Sequence, residues 1–464
     1  MEGDPRKLPR AWQWHPHEGT PQANGDMSSD RDSMARSAFR RGAKLASLPL
    51  GFAGRATLGL GKRMGGASAD AVTAQMQERA ADQLFRVLGD LKGGAMKFGQ
   101  ALSLFESVLP EDVAAPYRDQ LARLQQAAPP MPTSRVHAVL ARELGAGWRD
   151  RFSDFDPLPA AAASIGQVHR ATWSDGRQVA VKVQYPGADE ALRSDLKQIG
   201  RMTKLFAPLA GGMDVKPLVD ELTERVSEEL DYRIEAASQQ QAAVGFAGSD
   251  EFYVPQVLEH TSKVMVSEWV EGVPFATMSD GTQQERNEAA VRYVRFLFAA
   301  PSTVGLLHAD PHPGNFKILD DGRLGVIDFG LVARFPDGLP AAMGRILRIA
   351  QSGDAVQVRD SLQREGFLLG EVDPDDLYDY LSPFVEPASV PEFQFNRDWM
   401  REQFVRVRDP RASGGVGLQI NLPPSYLLIH RVWLGGLAVL SQLDARAAFG
   451  AVLEEFLPGY AETA

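Results

Sequence analysis

The sequence predicts an α+β chain of two lobes, a small β-rich one followed by a larger helical one, with a helical extension in front. Three observations carry this prediction. The 464 residues exceed what one small core can organise. At residue 151 helical spacing gives way to short alternating stretches, "VHRATW" and "QVAVKV", joined by the turn sequence "SDGR". After residue 336 helical spacing takes over again and runs to about 460.

Each segment follows from its composition. Residues 1–32 are polar and rich in Gly, Pro, Asp and Ser, which predicts a disordered N-terminus. Residues 33–65 form a basic arm. No acidic residue lies between Asp32 and Asp70, while Arg36, Arg40, Arg41, Lys44, Arg55, Lys62 and Arg63 alternate with leucines and Phe52. Such a segment suits peripheral contact with an anionic membrane. A basic linker or a helix docked on an acidic body is the plainer alternative. Residues 66–150 are the helical extension, interrupted by the helix-breaking "APPMP" and resuming at "SRVHAVLARELG". Residues 151–270 make the small lobe: strand, tight turn, strand, a helical stretch from about 189 to 246, then the strand "KVMVSEWVEG" that runs into a linker. Residues 271–464 make the large lobe, with a helix over 285–300 and "LLHADPHPGNFKILDDGRLGVIDFG" as loop, strand, hairpin and strand.

Bulk composition removes several functions. The chain has no cysteine, which excludes disulfides, thiolate catalysis and Cys-ligated metal centres. A net charge of -11 argues against general nucleic-acid binding. No apolar run reaches the roughly 18 residues that suggest a membrane-spanning helix. A cytoplasmic protein, peripheral on the membrane if the basic arm engages it, is the expectation.

The chemistry-bearing residues fall at strand–loop junctions. Asp310 and Asn315 are five apart in "HADPHPGN", and Asp328 of "IDFG" follows thirteen residues later. That spacing is the kinase pattern of catalytic-loop Asp, Asn and D-F-G. Phosphoryl transfer is mostly positioning and charge neutralisation. Asn315 and Asp328 therefore read as oxygen ligands for Mg²⁺ on ATP, and Asp310 as the acceptor of a proton from the attacking hydroxyl or water. Upstream, "AAAASIGQV" sits where a glycine-rich phosphate loop would lie. Ala161, Ala162, Ala163 and Ser164 would face the nucleotide, Gly166 keeps the third glycine, and Val168 keeps the valine. The alanine methyls should stiffen this loop relative to glycine. Fourteen residues after Val168, "VAVK" presents Lys182 to the phosphates. Lys182 needs a carboxylate, and Glu228, Glu229, Asp231 and Glu235 are offered along one helix. The strand end at Glu268, Trp269 and Val270 reads as the interlobe hinge, able to meet an adenine edge.

At this point the chain resembles the UbiB (AarF) family of protein-kinase-like proteins, atypical kinases linked to coenzyme Q biosynthesis. The residues that carry the likeness are "KFGQ" at 97–100, "AAASIGQVHRA" at 161–171, "VAVKVQYPG" at 179–187, "EELDYRIEA" at 228–236, "HADPHPGN" at 308–315 and "IDFG" at 327–330. The resemblance implies a bilobal protein-kinase-like fold in which Lys182 pairs with Glu235. It implies that Glu229 and Asp231 form an E-x-D motif. It also implies that Lys97, Gly99 and Gln100 form a K-x-G-Q motif folded over the substrate side of the cleft, with Lys97 directed at Glu229 or Asp231. ATP and Mg²⁺ are the implied cofactors, and a lipid or isoprenoid-quinone precursor the implied partner. Two departures from ordinary protein kinases sharpen this. His312 stands where a lysine usually helps the transferred phosphoryl group, and no A-P-E follows "DFG", so a peptide-docking platform is not expected. The expected function is an ATPase or kinase of small-molecule or lipid metabolism. The alternatives are a nucleotide-gated lipid- or partner-binding module with little catalysis, and an antibiotic- or choline-type phosphotransferase. "KFGQ" and the alanine-rich loop weigh against the last.

Overall fold

The computed structural model describes residues 130–163, 165–188, 230–408, 416, 419–421 and 423–461. The expectations for residues 1–129 and 189–229, including Lys97, Gly99, Gln100, Glu228 and Glu229, and for Ser164, lie outside the described residues.

Helix α1 (Thr133–Glu143) presents Val136, Val139 and Leu140 at helical spacing on one buried face. A short 3₁₀ turn at Trp148–Arg151 then feeds β1 (Phe152–Ala163), β2 (Gly166–Trp173) and β3 (Gln178–Gln184). The β2–β3 turn is tight because Gly176 takes φ +94°. Helix α2 (Tyr232–Gly245) precedes β4 (Phe252–Tyr253), β5 (Val257–His260) and β6 (Val264–Glu268). The small-lobe sheet has the order β1-β2-β3-β6-β5, and every neighbouring pair is antiparallel.

The two faces of this sheet do different jobs. Val179, Val181 and Val183 of β3 point one way and bury with Val264 and Val266 against Val136, Val139, Leu140 and Trp148. Helix α1 thus packs on the small-lobe sheet, although its sequence position falls in the 66–150 extension. The intervening residue, Lys182, points the other way, beside its cross-strand partner Met265. Met265 buries with Ile165, Leu230, Tyr232 and Ala236.

The large lobe runs through β7 (Val273–Pro274), α3 (Gln283–Val304), β8 (Leu306–His308), β9 (Phe316–Ile318), β10 (Leu324–Val326) and β11 (Val332–Arg334). It continues with α4 (Ala341–Gln351), α5 (Ala355–Arg364), α6 (Pro374–Val385), β12 (Phe393–Gln394), α7 (Arg397–Arg408), α8 (Pro424–Gln442), β13 (Arg446–Ala447) and α9 (Phe449–Phe456). Helix α3 starts on a capping box between Thr282 and Glu285. Its aromatic residues Tyr293 and Phe296 pack edge-on against Phe316 of β9. The pairs β8–β11 and β9–β10 frame the loops that carry Asp310 and Asp328. Two elements tie the lobes together. Strand β4 leaves the small lobe and pairs with β10, and the end of α2 buries Ala242 and Ala243 in the large core. Among the described residues no helix is long and apolar enough to cross a membrane.

Candidate active site

Lys182 is the centre of the cleft. Its Nζ donates to both oxygens of Glu235, at 2.6 and 2.9 Å, and to Asp328 Oδ2 at 3.1 Å. It also stands 5.2 Å above the ring of Tyr232. Burial would push the lysine's pKa down, but the Asp328 and Glu235 charges outweigh it and hold it well above the usual value. Register explains the aim. Val168 of β2 pairs with Lys182 of β3, and Ala161 of β1 pairs with Val168, so all three share one sheet face. Ala162 pairs with Gln167 and belongs to the opposite face. The alanine-rich segment is also more regular than a glycine loop. Strand β1 stays paired with β2 as far as Ala163 opposite Gly166. Gly166 allows no methyl, because a Cβ there would lie 2.3 Å from the Val183 carbonyl oxygen and 2.7 Å from the Tyr232 hydroxyl.

Asp231 corrects one expectation. It does not lie within the helix that carries Glu235. It is the N-cap of α2, in extended backbone conformation, and its carboxylate accepts from the Arg233 backbone N–H. The same carboxylate forms an ion pair with Arg233 at 2.6 Å. A short acidic side chain competes for backbone N–H groups better at a helix start than inside a helix.

Across the cleft, Asn315 Nδ2 donates to the Asp310 main-chain oxygen at 3.0 Å and to its Oδ2 at 2.9 Å. Oδ1 of Asn315 is the atom that could meet a cation. Asp328 accepts from the Gly330 backbone N–H at 2.9 Å, and its side chain keeps 35% exposure. His308 fixes the spacing between these two loops by donating from Nε2 to the Asp328 carbonyl oxygen at 2.6 Å. Burial lowers the pKa of His308, so the ring sits neutral between Phe316 and Phe329. One amide oxygen and one carboxylate suit a Mg²⁺ that draws its remaining ligands from phosphates and water.

At the hinge, Glu268 turns its carboxylate away to accept from Tyr253 Oη at 2.8 Å and the Gln256 N–H at 3.0 Å. Any contact from Glu268 to a base would therefore come from its main chain. The Trp269 N–H is spent on the Gln178 carbonyl. The Val270 carbonyl accepts from Lys317 Nζ at 2.7 Å. His312 is exposed, and its Nδ1 accepts from the Gly314 N–H.

Sequence reasoning missed Arg431 and Tyr293. Arg431 reaches from α8 to Asp310 Oδ1 at 3.2 Å, and Tyr293 Oη donates to the Pro311 carbonyl oxygen at 2.6 Å. A signal for Arg431 was present: it is the only charged residue in "LLIHRVWLGGLAVL", and a lone cation in a buried stretch needs a partner.

Two lobes joined by a strand end, a sheet lysine paired to a helix glutamate, and an Asp–Asn–Asp set on facing loops define the protein-kinase-like class. The ABC1 atypical kinase-like domain matches residues 123–362. The chain belongs to that family of atypical kinases. It is 29% identical over 298 residues to the mitochondrial atypical kinase COQ8B of Danio rerio, covering 64% of this chain and 47% of that protein. It is 28% identical over 375 residues to the mitochondrial atypical kinase COQ8 of Saccharomyces cerevisiae, covering 78% of this chain and 73% of that protein. The chain spans about half the length of the Danio rerio and Caenorhabditis elegans relatives, 47% of each. Among solved structures, Rv3197 of Mycobacterium tuberculosis, determined in complex with erythromycin, matches with a TM-score of 0.66 and 45% identity. That match covers 85% of this chain and all of that one.

Proposed function

We propose that the chain binds Mg²⁺–ATP between its lobes and works as an atypical kinase or ATPase that acts on, or regulates, small-molecule or lipid metabolism of the isoprenoid-quinone type. The observation that carries this reading is the Lys182–Glu235–Asp328 cluster facing the Asp310–Asn315 pair. Lys182, held by Glu235, offers its ammonium to the α- and β-phosphates. Val168 and Ala161 cover the nucleotide from the sheet, and the main chain at Glu268 and Val270 faces the base. Asn315 and Asp328 would hold Mg²⁺, which would supply neutralisation of the phosphate charge. Asp310 orients the attacking hydroxyl or water and accepts its proton. Asp231 is already committed to Arg233 and the α2 cap, which favours Glu229 as the carboxylate for Lys97 in the cover that Lys97, Gly99 and Gln100 would form. Residues 33–65 supply the basic segment for peripheral membrane contact. The test is ATP hydrolysis with Mg²⁺ or EDTA, with and without anionic vesicles. Mg²⁺-dependent turnover that rises on vesicles supports the reading. An absence of both nucleotide binding and turnover overturns it.

A second reading is favoured by one observation, the match over 85% of this chain to a protein solved with erythromycin. Under it the chain binds a macrolide. Calorimetric titration with erythromycin tests binding. Mass spectrometry after incubation with Mg²⁺–ATP shows whether a phosphoryl group is transferred. No heat and no mass change remove this reading.

A further inference from the structure

The loop that carries Asp310 is held from outside the kinase-type motif, by α8. Arg431 Nε donates to the Ala309 carbonyl oxygen at 2.9 Å while Nη2 donates to Asp310 Oδ1 at 3.2 Å. One planar fork thus fixes both the main chain before the aspartate and the carboxylate itself. The arginine side chain is 13% exposed and the aspartate 21%, so the pair is largely removed from water. Four residues further along the same helix face, Gly435 meets Pro311 of the loop. A Cβ at Gly435 would stand 2.4 Å from Pro311 Cγ, closer than any methyl tolerates. Two successive turns of α8 are therefore shaped to the loop, one by charge and one by the lack of a side chain. The flanking residues Leu428, Ile429, Val432, Trp433 and Leu437 anchor α8 in the large core. The arginine is thus presented from a fixed support. The loop carries no lysine or arginine, and His312 is exposed and caps Gly314.

We propose that Arg431 is the positioning residue of this site. From α8 it sets the orientation of the Asp310 carboxylate and brings a guanidinium to a loop that has no lysine or arginine. This rests on the kinase or ATPase reading for its catalytic consequence, but the arginine–aspartate coupling is separable from that reading. Arg431 acts through Asp310, so its loss falls on the chemical step and not on nucleotide capture by Lys182 and Glu235 across the cleft.

The experiment is a double-mutant cycle on the full chain. Arg431→Gln and Arg431→Lys are made in the native background and with Asp310→Asn, and each is read by ATP turnover and by chemical unfolding without nucleotide. Arg431→Gln is expected to lower kcat roughly 10–100-fold with KM for ATP within about threefold of native, the size typical of residues that orient a functional group. Arg431→Lys keeps the charge but loses the fork, so it should fall between. With Asp310→Asn already present, Arg431→Gln should cost clearly less in either readout, the remainder being its contact to the Ala309 carbonyl. A loss carried by KM, an unchanged kcat, or an equal cost in both backgrounds overturns the proposal. If the native chain turns over no ATP, the kinase or ATPase reading fails on its own. The unfolding cycle then still decides on Arg431: additive effects reject it and non-additive effects support it.

Discussion

Replacing Lys182 by Met removes a cation that Glu235 and Asp328 share, while nearly conserving side-chain volume. Glu235 is the more serious loss. Its side chain is 5% exposed, and its two oxygens lie 2.6 and 2.9 Å from the ammonium. Breaking a buried pair by deleting one partner costs about 3–5 kcal/mol, because the remaining charge is left uncompensated. Asp328 softens the effect, since its 35% exposure lets water solvate it. The expected destabilisation at neutral pH is therefore near the lower end, about 3 kcal/mol, or roughly 100-fold in the unfolding equilibrium. The assay is urea unfolding of the nucleotide-free chain, comparing midpoints at unchanged slope. Lys182→Met combined with Glu235→Gln should recover most of the loss, because the buried charge goes with its partner. A single variant that is no less stable than the double would refute the reasoning, as would a single variant within about 0.5 kcal/mol of native.

Three further outcomes follow from the same geometry. Burial lowers the pKa of His430 to about 4. Between pH 6.5 and about 4 the unfolded chain takes a proton there that the folded chain refuses, so stability should fall as pH drops through that window, by at most about 3 kcal/mol from this group. His430→Phe, beside Phe384, should flatten that part of the stability–pH curve, and an unchanged curve would exclude His430 as its source. Tyr293→Phe keeps the ring contact to Phe316 but deletes the 2.6 Å bond to the Pro311 carbonyl. It should cost about 1–2 kcal/mol in stability and lower kcat, and a native melting temperature would contradict this. Thr282→Ala breaks the capping box with Glu285 and should cost about 1 kcal/mol by thermal unfolding, with ATP affinity untouched; a change in affinity would mean that the cap reaches the site.

What could be read from the sequence was whatever has a local physical signature. The alternation in "QVAVKV" gave β3, and "SDGR" gave the β2–β3 turn. The interval from Asp310 to Asn315 reports a short loop closed by a side-chain hydrogen bond, which is what the structure contains. Longer-range features were not legible. Asp231 looks like a member of a helical acidic face until its backbone is seen to be extended. Its carboxylate was free to choose between cap and interior, and only the start point of α2 decides that. Arg431 lies 121 residues from Asp310, a distance across which no periodicity carries information. The grouping of α1 with the small-lobe sheet was hidden for a similar reason: its apolar stripe says that it packs, and not on what.

The central claim is that Asp328 serves a Mg²⁺-dependent reaction of bound ATP. The most direct measurement is the Mg²⁺-dependent rate of ATP turnover by the native chain and by Asp328→Asn, with nucleotide affinity determined alongside. The expected result is measurable turnover in the native chain and its loss in the variant, without unfolding. Equal turnover in both chains would contradict the claim.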